Sequence, residues 1–199
     1  MFYYIEGTVA IIGQNLAVID AGGAGYACMT TMNTLSRLET GKKARLFTYC
    51  NIKEDAFDIY GFYDLSEKRC FELLLGVSGV GPKAALSILS STTPEALAIA
   101  IIGDDETALT IAPGIGKKIA QRIILELKDK VSKETVELQA AGHSPHRDGA
   151  GQPSRQRDAA AALAVLGYSQ GEIAAAMRGI DASLTVEEII REVLKSSMK

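Results

Sequence analysis

A seven-residue segment, Gly79-Val80-Gly81-Pro82-Lys83-Ala84-Ala85, returns 35 residues later as Gly114-Ile115-Gly116-Lys117-Lys118-Ile119-Ala120. Each copy follows an apolar stretch of helical period and opens another one. Leu86, Ile88 and Leu89 follow the first copy; Ile123, Ile124 and Leu127 follow the second. Helix, Gly-x-Gly turn, helix is the sequence form of a helix-hairpin-helix element, so the repeat predicts a tandem of two. Glycine opens backbone conformations closed to other residues and leaves no side chain between chain and ligand. The first amides of the following helix lack intrahelical acceptors and sit at its positive end, where a phosphate oxygen fits. Lys83, Lys117 and Lys118 can add charge to the same phosphates. Two such turns can hold both strands of a duplex across a minor groove without reading bases. The predicted phosphate contacts are therefore Gly79, Gly81, Lys83, Gly114, Gly116, Lys117 and Lys118.

Other readings fare worse. A single Gly-x-Gly could be a mere tight turn between helices, but two copies with following lysines favour DNA-backbone binding. Neither copy follows a strand or carries the third glycine of a dinucleotide-binding fingerprint. A helix-hairpin-helix DNA glycosylase would need a catalytic aspartate in a loop beyond the second turn. Gln121 to Glu137 instead reads as one charged helix, and the cysteines lack iron–sulfur spacing. Lys117 or Lys118 as a Schiff-base nucleophile is a remote alternative.

The charge balance narrows how DNA could be bound. The 199 residues carry 21 Lys and Arg against 24 Asp and Glu, a net charge of −3. Residues 65–138, which hold the repeat, carry 9 basic and 10 acidic side chains, −1. A polycation that coats nucleic acid through bulk charge is excluded, and binding must rest on local geometry. No apolar run reaches the ~18 residues of a membrane span, and Met1 to Glu6 lacks the basic start of a signal peptide. The expectation is a cytoplasmic protein with no membrane partner. Cys28, Cys50 and Cys70 form no CxxC pair, and their odd number argues for buried free thiols. The two histidines, His143 and His146, lie in a Gly/Pro/Ser-rich stretch. No metal site is expected, since one needs three or four preorganised ligands. No GxxxxGK[ST] loop is present, so neither nucleotide nor other cofactor is expected.

The hydrophobic period divides the chain. Residues 1–64 read as five short strands with glycine-rich turns: Ile5–Ile12, Leu16–Asp20, Tyr26–Thr31, Ala44–Ile52 and Phe57–Phe62, with a short helix near Leu35. They suggest a small closed barrel or a sandwich, and the spacing fits a five-stranded OB-type barrel. Glu54 and Asp55 occupy the last hairpin's tip, which by itself reads as an ordinary solvated turn. Residues 65–138 read as helical, with Asp64 and Glu67 as a capping box, Thr93-Pro94 opening a helix and Asp104 opening another. Residues 139–158 contain no Val, Ile, Leu, Met, Phe, Trp, Tyr or Cys and predict a flexible linker spanning about 25 Å. Residues 159–199 predict three helices around Ile173, Met177, Ile189, Ile190, Val193 and Leu194, two of them capped at Ser169/Glu172 and Thr185/Glu188.

Taken together, the chain resembles the RuvA family. The resemblance rests on Met1 to Gly7, on Lys53-Glu54-Asp55-Ala56 before Tyr60-Gly61-Phe62, and on Gly79-Val80-Gly81-Pro82-Lys83. It continues through Pro113-Gly114-Ile115-Gly116-Lys117-Lys118 and Ala162-Leu163-x-x-Leu166-Gly167-Tyr168. It implies a multidomain α+β protein: an OB-fold barrel (1–64), a tandem helix-hairpin-helix domain (65–138), a linker (139–158) and a UBA-like three-helix bundle (159–199). It implies a non-catalytic subunit that binds four-way Holliday junctions, keeps them open and planar, and serves recombination and repair. One homotetramer or two would embrace the junction. Glu54 and Asp55 would form an acidic pin at its centre, and the C-terminal bundle would dock the hexameric RuvB ATPase through Leu163, Leu166, Tyr168 and Ile173. A RuvC-type resolvase is a further implied partner. The arginine-rich flank of the family's pin is reduced here to Lys53.

Overall fold

The computed structural model describes residues 1–140, 154–181 and 183–196. The N-terminal strands close on themselves. β1 (Tyr4–Ile12) pairs with β2 (Leu16–Ala21), and β2 with β3 (Ala24–Met29). β4 (Lys43–Ile52) pairs with β1 and with β5 (Phe57–Phe62). A short parallel contact, Cys28 to Ile59 and Met29 to Tyr60, completes the order β1-β2-β3-β5-β4. This is a closed five-stranded OB-fold barrel and not a sandwich.

Alternation fills its interior with Ile5, Val9, Ala17, Ile19, Cys28, Leu46 and Ile59. A register shift between Val9 and Ile11 bends β1, which helps the sheet close. The β1–β2 crossing is close enough that a Cβ on Gly7 would stand 2.1 Å from the Asp20 carbonyl oxygen. Strand β3 ends at Met29, short of the expected Thr31, because the Thr31 hydroxyl caps α1 (Met32–Leu35) by accepting from the Thr34 amide.

From Ile59 onward β5 is buried on both faces. Ile59 turns into the barrel, while Tyr60 and Phe62 turn outward onto Phe71 of α2 (Leu65–Leu75), with ring centroids 5.1 and 4.9 Å apart. The helical region continues with α3 (Pro82–Ser91), α4 (Pro94–Ile102), α5 (Glu106–Thr110) and α6 (Lys117–Ala140). Thr93 caps α4 as expected, its hydroxyl accepting from the Ala96 amide, with Pro94 at the first position. Two local expectations change. Asp105, not Asp104, caps α5, accepting from the Thr107 and Ala108 amides. Asp104 precedes it at a φ of +55 and pairs instead with Lys128 at 2.6 Å. Asp64 caps α2 by accepting from the Glu67 amide, but the Glu67 carboxylate does not complete the box. It turns away to the Thr31 and Thr34 hydroxyls at α1.

The C-terminal bundle comprises α7 (Ser154–Val165), α8 (Gln170–Ala176) and α9 (Val186–Ser196). α7 starts four residues before the expected end of the linker, so residues 154–158 are helical and α6 extends through Ala140. Arg155, Gln156 and Arg157 are good helix formers, and Arg155 anchors the first turn of α7 by donating to the Ser183 carbonyl at 3.2 Å. Residues 141–153 of the expected linker, with His143 and His146, lie outside the described residues. Ser169 and Glu172 form a complete capping box, and Thr185 with Glu188 bonds reciprocally in the same way. The bundle's core merges with that of α2 and α4.

All three cysteines are free and buried, and burial pushes the Cys28 thiol up to about 12 and Cys70 well above the ordinary thiol range. Such thiols are poor nucleophiles. Among the described residues no single helix is long and apolar enough to cross a membrane, and no group of His, Cys, Asp or Glu could hold a metal ion.

Candidate nucleic-acid interface

The two glycine segments fold into matching turns. In the first, the Val80 amide donates to the Val77 carbonyl at 3.0 Å, with Gly79 in third position at a φ of +86. In the second, the Ile115 amide donates to the Ala112 carbonyl at 3.0 Å, with Gly114 at +85. A reverse turn of this kind needs glycine in third position, because L side chains resist positive φ. The residue after each glycine plugs the turn into the core, for Val80 and Ile115 are each only 6% exposed. Helices α3 and α6 then start from Gly81 and Gly116, whose carbonyls accept from Ala85 and Ala120.

Gly81 and Gly116 are glycine for a different reason. Neither has positive φ, and a Cβ added to either would meet nothing within 4 Å. Nothing inside the fold requires them to be bare. A bare backbone at the mouth of a helix lets an outside group come close, and the first-turn amides there have no intrahelical acceptor. Lys83, Lys117 and Lys118 surround these openings, all exposed. Lys117 stands 3.7 Å from Glu106, whose other oxygen accepts from Gln121 at 2.9 Å. The seven residues expected to contact phosphate therefore form two like-shaped openings, each with its own lysine.

The two openings brace each other. Ser87 on α3 donates to the Pro113 carbonyl of the second turn at 2.8 Å. In return, α6 reaches back to the first turn: Glu126 accepts from the Ser78 amide at 3.1 Å, and Arg122 donates to the Ser78 carbonyl at 3.3 Å. Each helix that leaves one turn supports the other. Arg122 and Glu126 were not singled out from the sequence. Their signal was present in the i, i+4, i+8 spacing of Lys118, Arg122 and Glu126, which puts all three on one helix face. Arg122 half-neutralises itself against Glu126 at 3.9 Å and still adds a guanidinium beside the first turn.

Glu54 and Asp55 lie elsewhere, exposed at the tip between β4 and β5. Lys53 donates its amide to the Ala56 carbonyl at 2.8 Å and closes the tip. Below it the hairpin is held by the Ile52–Phe57 pair and by Asn51 donating to Asp58 at 3.3 Å. β5 thus carries the acidic tip at its start and the helical region against its end. One strand links the two charged features.

The four residues expected to dock a partner are not a surface. Leu163 is 0%, Leu166 2%, Tyr168 7% and Ile173 6% exposed. They lie in the apolar core that the bundle shares with α2 and α4. Tyr168 is further covered by the Arg69 guanidinium, 4.4 Å from its ring centre, which also lies 3.5 Å from Glu172.

Three family models match the chain. One described as the RuvA N terminal domain matches residues 1–61, one described as a SAM-like helix-hairpin-helix tandem matches 71–129, and one described as the RuvA C-terminal domain matches 154–198. A protein of Ruminiclostridium cellulolyticum is 40% identical over 198 residues, covering 98% of this chain and all of its own length. One of Thermoanaerobacter sp. strain X514 is 42% identical over 200 residues and covers both chains in full. One of Amoebophilus asiaticus is 38% identical over 200 residues. Each of the three is named Holliday junction branch migration complex subunit RuvA.

Proposed function

This chain belongs to the RuvA family, and from that premise we propose that it binds four-way DNA junctions, holds them open and recruits a RuvB-type ATPase for branch migration. The observation that carries the reading is the pair of mutually braced turns, each with an uncovered glycine at the start of a helix. Gly79, Gly81 and Lys83 take phosphates of one strand; Gly114, Gly116, Lys117 and Lys118 take those of the other. The backbone amides and lysines hold the duplex arm without regard to base sequence.

Glu54 and Asp55 act by the opposite sign. In a homotetramer with one arm per subunit, four acidic tips meet at the crossover and repel its phosphates, which keeps the centre open as strands change partners. The near-neutral balance of the chain follows from this division, with cations at the turns and an acidic group where phosphate is held off. The chain itself is non-catalytic. ATP hydrolysis belongs to the RuvB-type motor, which the C-terminal bundle engages. A RuvC-type resolvase uses the face of the junction left open, and the complex works in the cytoplasm.

The test is an electrophoretic shift with a synthetic four-way junction beside a linear duplex of the same sequence at matched salt. Tighter binding to the junction is expected, and equal affinity would overturn the reading. E54Q/D55N should raise duplex affinity several-fold while impairing branch migration with the motor; a fall in duplex affinity would remove the tip from the mechanism.

A further inference from the structure

The acidic tip and the two turns sit on different parts of the fold, yet both must meet the same junction. Beside the packing of Tyr60 and Phe62 on Phe71, a small polar joint connects barrel and helical region. α1 is its keystone. Thr31 donates its hydroxyl to one Glu67 carboxylate oxygen at 2.5 Å, and Thr34 donates to the other at 2.6 Å. Each hydroxyl also accepts a backbone amide, Thr31 from Thr34 and Thr34 from Tyr63. Asn33 donates to the Leu89 and Thr92 carbonyls at the end of α3, at 2.6 and 3.1 Å. Arg37 closes the edge, 2.7 Å from Asp64 and stacked 3.8 Å over the Tyr63 ring.

Glu67 is 3% exposed. Each of its two hydroxyl donors accepts a backbone amide and gives its one proton to a different carboxylate oxygen, so the pair asks for an acceptor on both oxygens. The arrangement has one geometry. Burial holds the Glu67 carboxyl above its usual range despite both hydroxyls, so ionising it costs the fold stability. A capping glutamate could have stayed at the surface and bonded the Asp64 amide instead.

We propose that Glu67 is a positioning residue for junction discrimination: held by Thr31 and Thr34, it locks the angle between the barrel that carries Glu54 and Asp55 and the helices that carry the two turns. This rests on the junction-binding reading. Duplex binding needs only the turns. Junction binding needs turns and tip in register, so loosening the joint costs the preference and spares the grip.

The experiment uses the full-length protein with E67Q, which keeps size and removes the charge, and N33A, which cuts the joint's other strut. Affinity is measured for a four-way junction and for linear duplex, with arm opening followed by fluorescence transfer between labelled junction arms and melting temperature recorded. Both variants are expected to melt somewhat lower, from one unmatched hydroxyl in E67Q and two lost hydrogen bonds in N33A, to bind duplex near wild type, to bind the junction about 10-fold more weakly, and to open its arms less. Unchanged junction preference and arm opening in both would overturn the proposal. So would a proportional loss on both DNAs, which marks a merely structural joint. A wild type without junction preference would strike down the junction-binding reading itself, and the proposal with it.

Discussion

At the first turn a proline and a single lysine, Pro82 and Lys83, open the following helix. At the second, Lys117 and Lys118 open it, and the proline has moved to Pro113, before the glycine. The backbones nonetheless coincide, with φ of +86 and +85 at Gly79 and Gly114 and the same 3.0 Å closing bond. What the two share is therefore the bare, amide-lined opening. What they do not share is where the charge comes from. The second turn carries its own two lysines, while the first has one and borrows Arg122 from the helix that the second turn starts. The grip is one composite device, and its halves are not interchangeable.

That asymmetry predicts unequal losses. K117A/K118A should weaken binding to any DNA about 100-fold at low salt, from two charge-assisted contacts of about 1.5 kcal/mol each, and flatten the salt dependence by about two units of slope. K83A should cost about 10-fold and one unit. Titration against duplex at several salt concentrations reads both numbers, and equal losses would erase the distinction between the turns.

The glycines split the other way, by role and not by turn. G79A and G114A force a methyl group onto positive φ and should each lower stability by about 1–2 kcal/mol in thermal unfolding. G81A and G116A should melt as wild type and still bind DNA about 10-fold more weakly, because their methyl groups fill space that only a ligand would occupy. A smaller effect comes from the brace: S87A, which leaves the second turn without its α3 support, should cost about 1 kcal/mol of stability. It should weaken junction binding only slightly.

The smallest effect separates the grip from the joint. The Glu67 carboxyl is held above the usual glutamate range, with burial the main cause, the Thr31 and Thr34 hydroxyls and Arg37 opposing it, and Asp64 adding to it. A raised carboxyl binds its proton more tightly in the folded chain. Its favourable contribution is complete below the ordinary glutamate value and is lost as pH rises through the folded one. Thermal unfolding from pH 4 to 7 should show wild type losing stability relative to E67Q, and parallel curves would refute this.

The turns were legible because their chemistry is local. Glycine at a positive-φ position, proline at a helix start and lysine beside it are requirements met within seven residues. The barrel strands were legible from alternation, and three of the helix caps from their own side chains. The short helix near Leu35 gave no hint of its part as a joint, since its partners Glu67 and Leu89 lie more than thirty residues away in the chain. Leu163, Leu166, Tyr168 and Ile173 illustrate the opposite failure. Apolar residues in a tethered bundle look like an open surface, and only the fold shows them buried in a core shared with α2 and α4.

Glu67 marks the boundary between what the chain states by itself and what the fold decides. By sequence alone Asp64-x-x-Glu67 opens a helix, and it does: the backbone half of the box is in place. The side chain had two sets of partners open to it, its own helix end or the hydroxyls of Thr31 and Thr34 at α1. Only closure of the barrel brings Thr31 and Thr34 to it. Short-range hydrogen bonds and steric limits on φ are properties of a few consecutive residues, so the sequence determines the turns, caps and strands. Long-range pairing is decided by which surfaces are buried together, and so the bracing of one turn by the other, and the joint that aims them, exist only in the folded molecule.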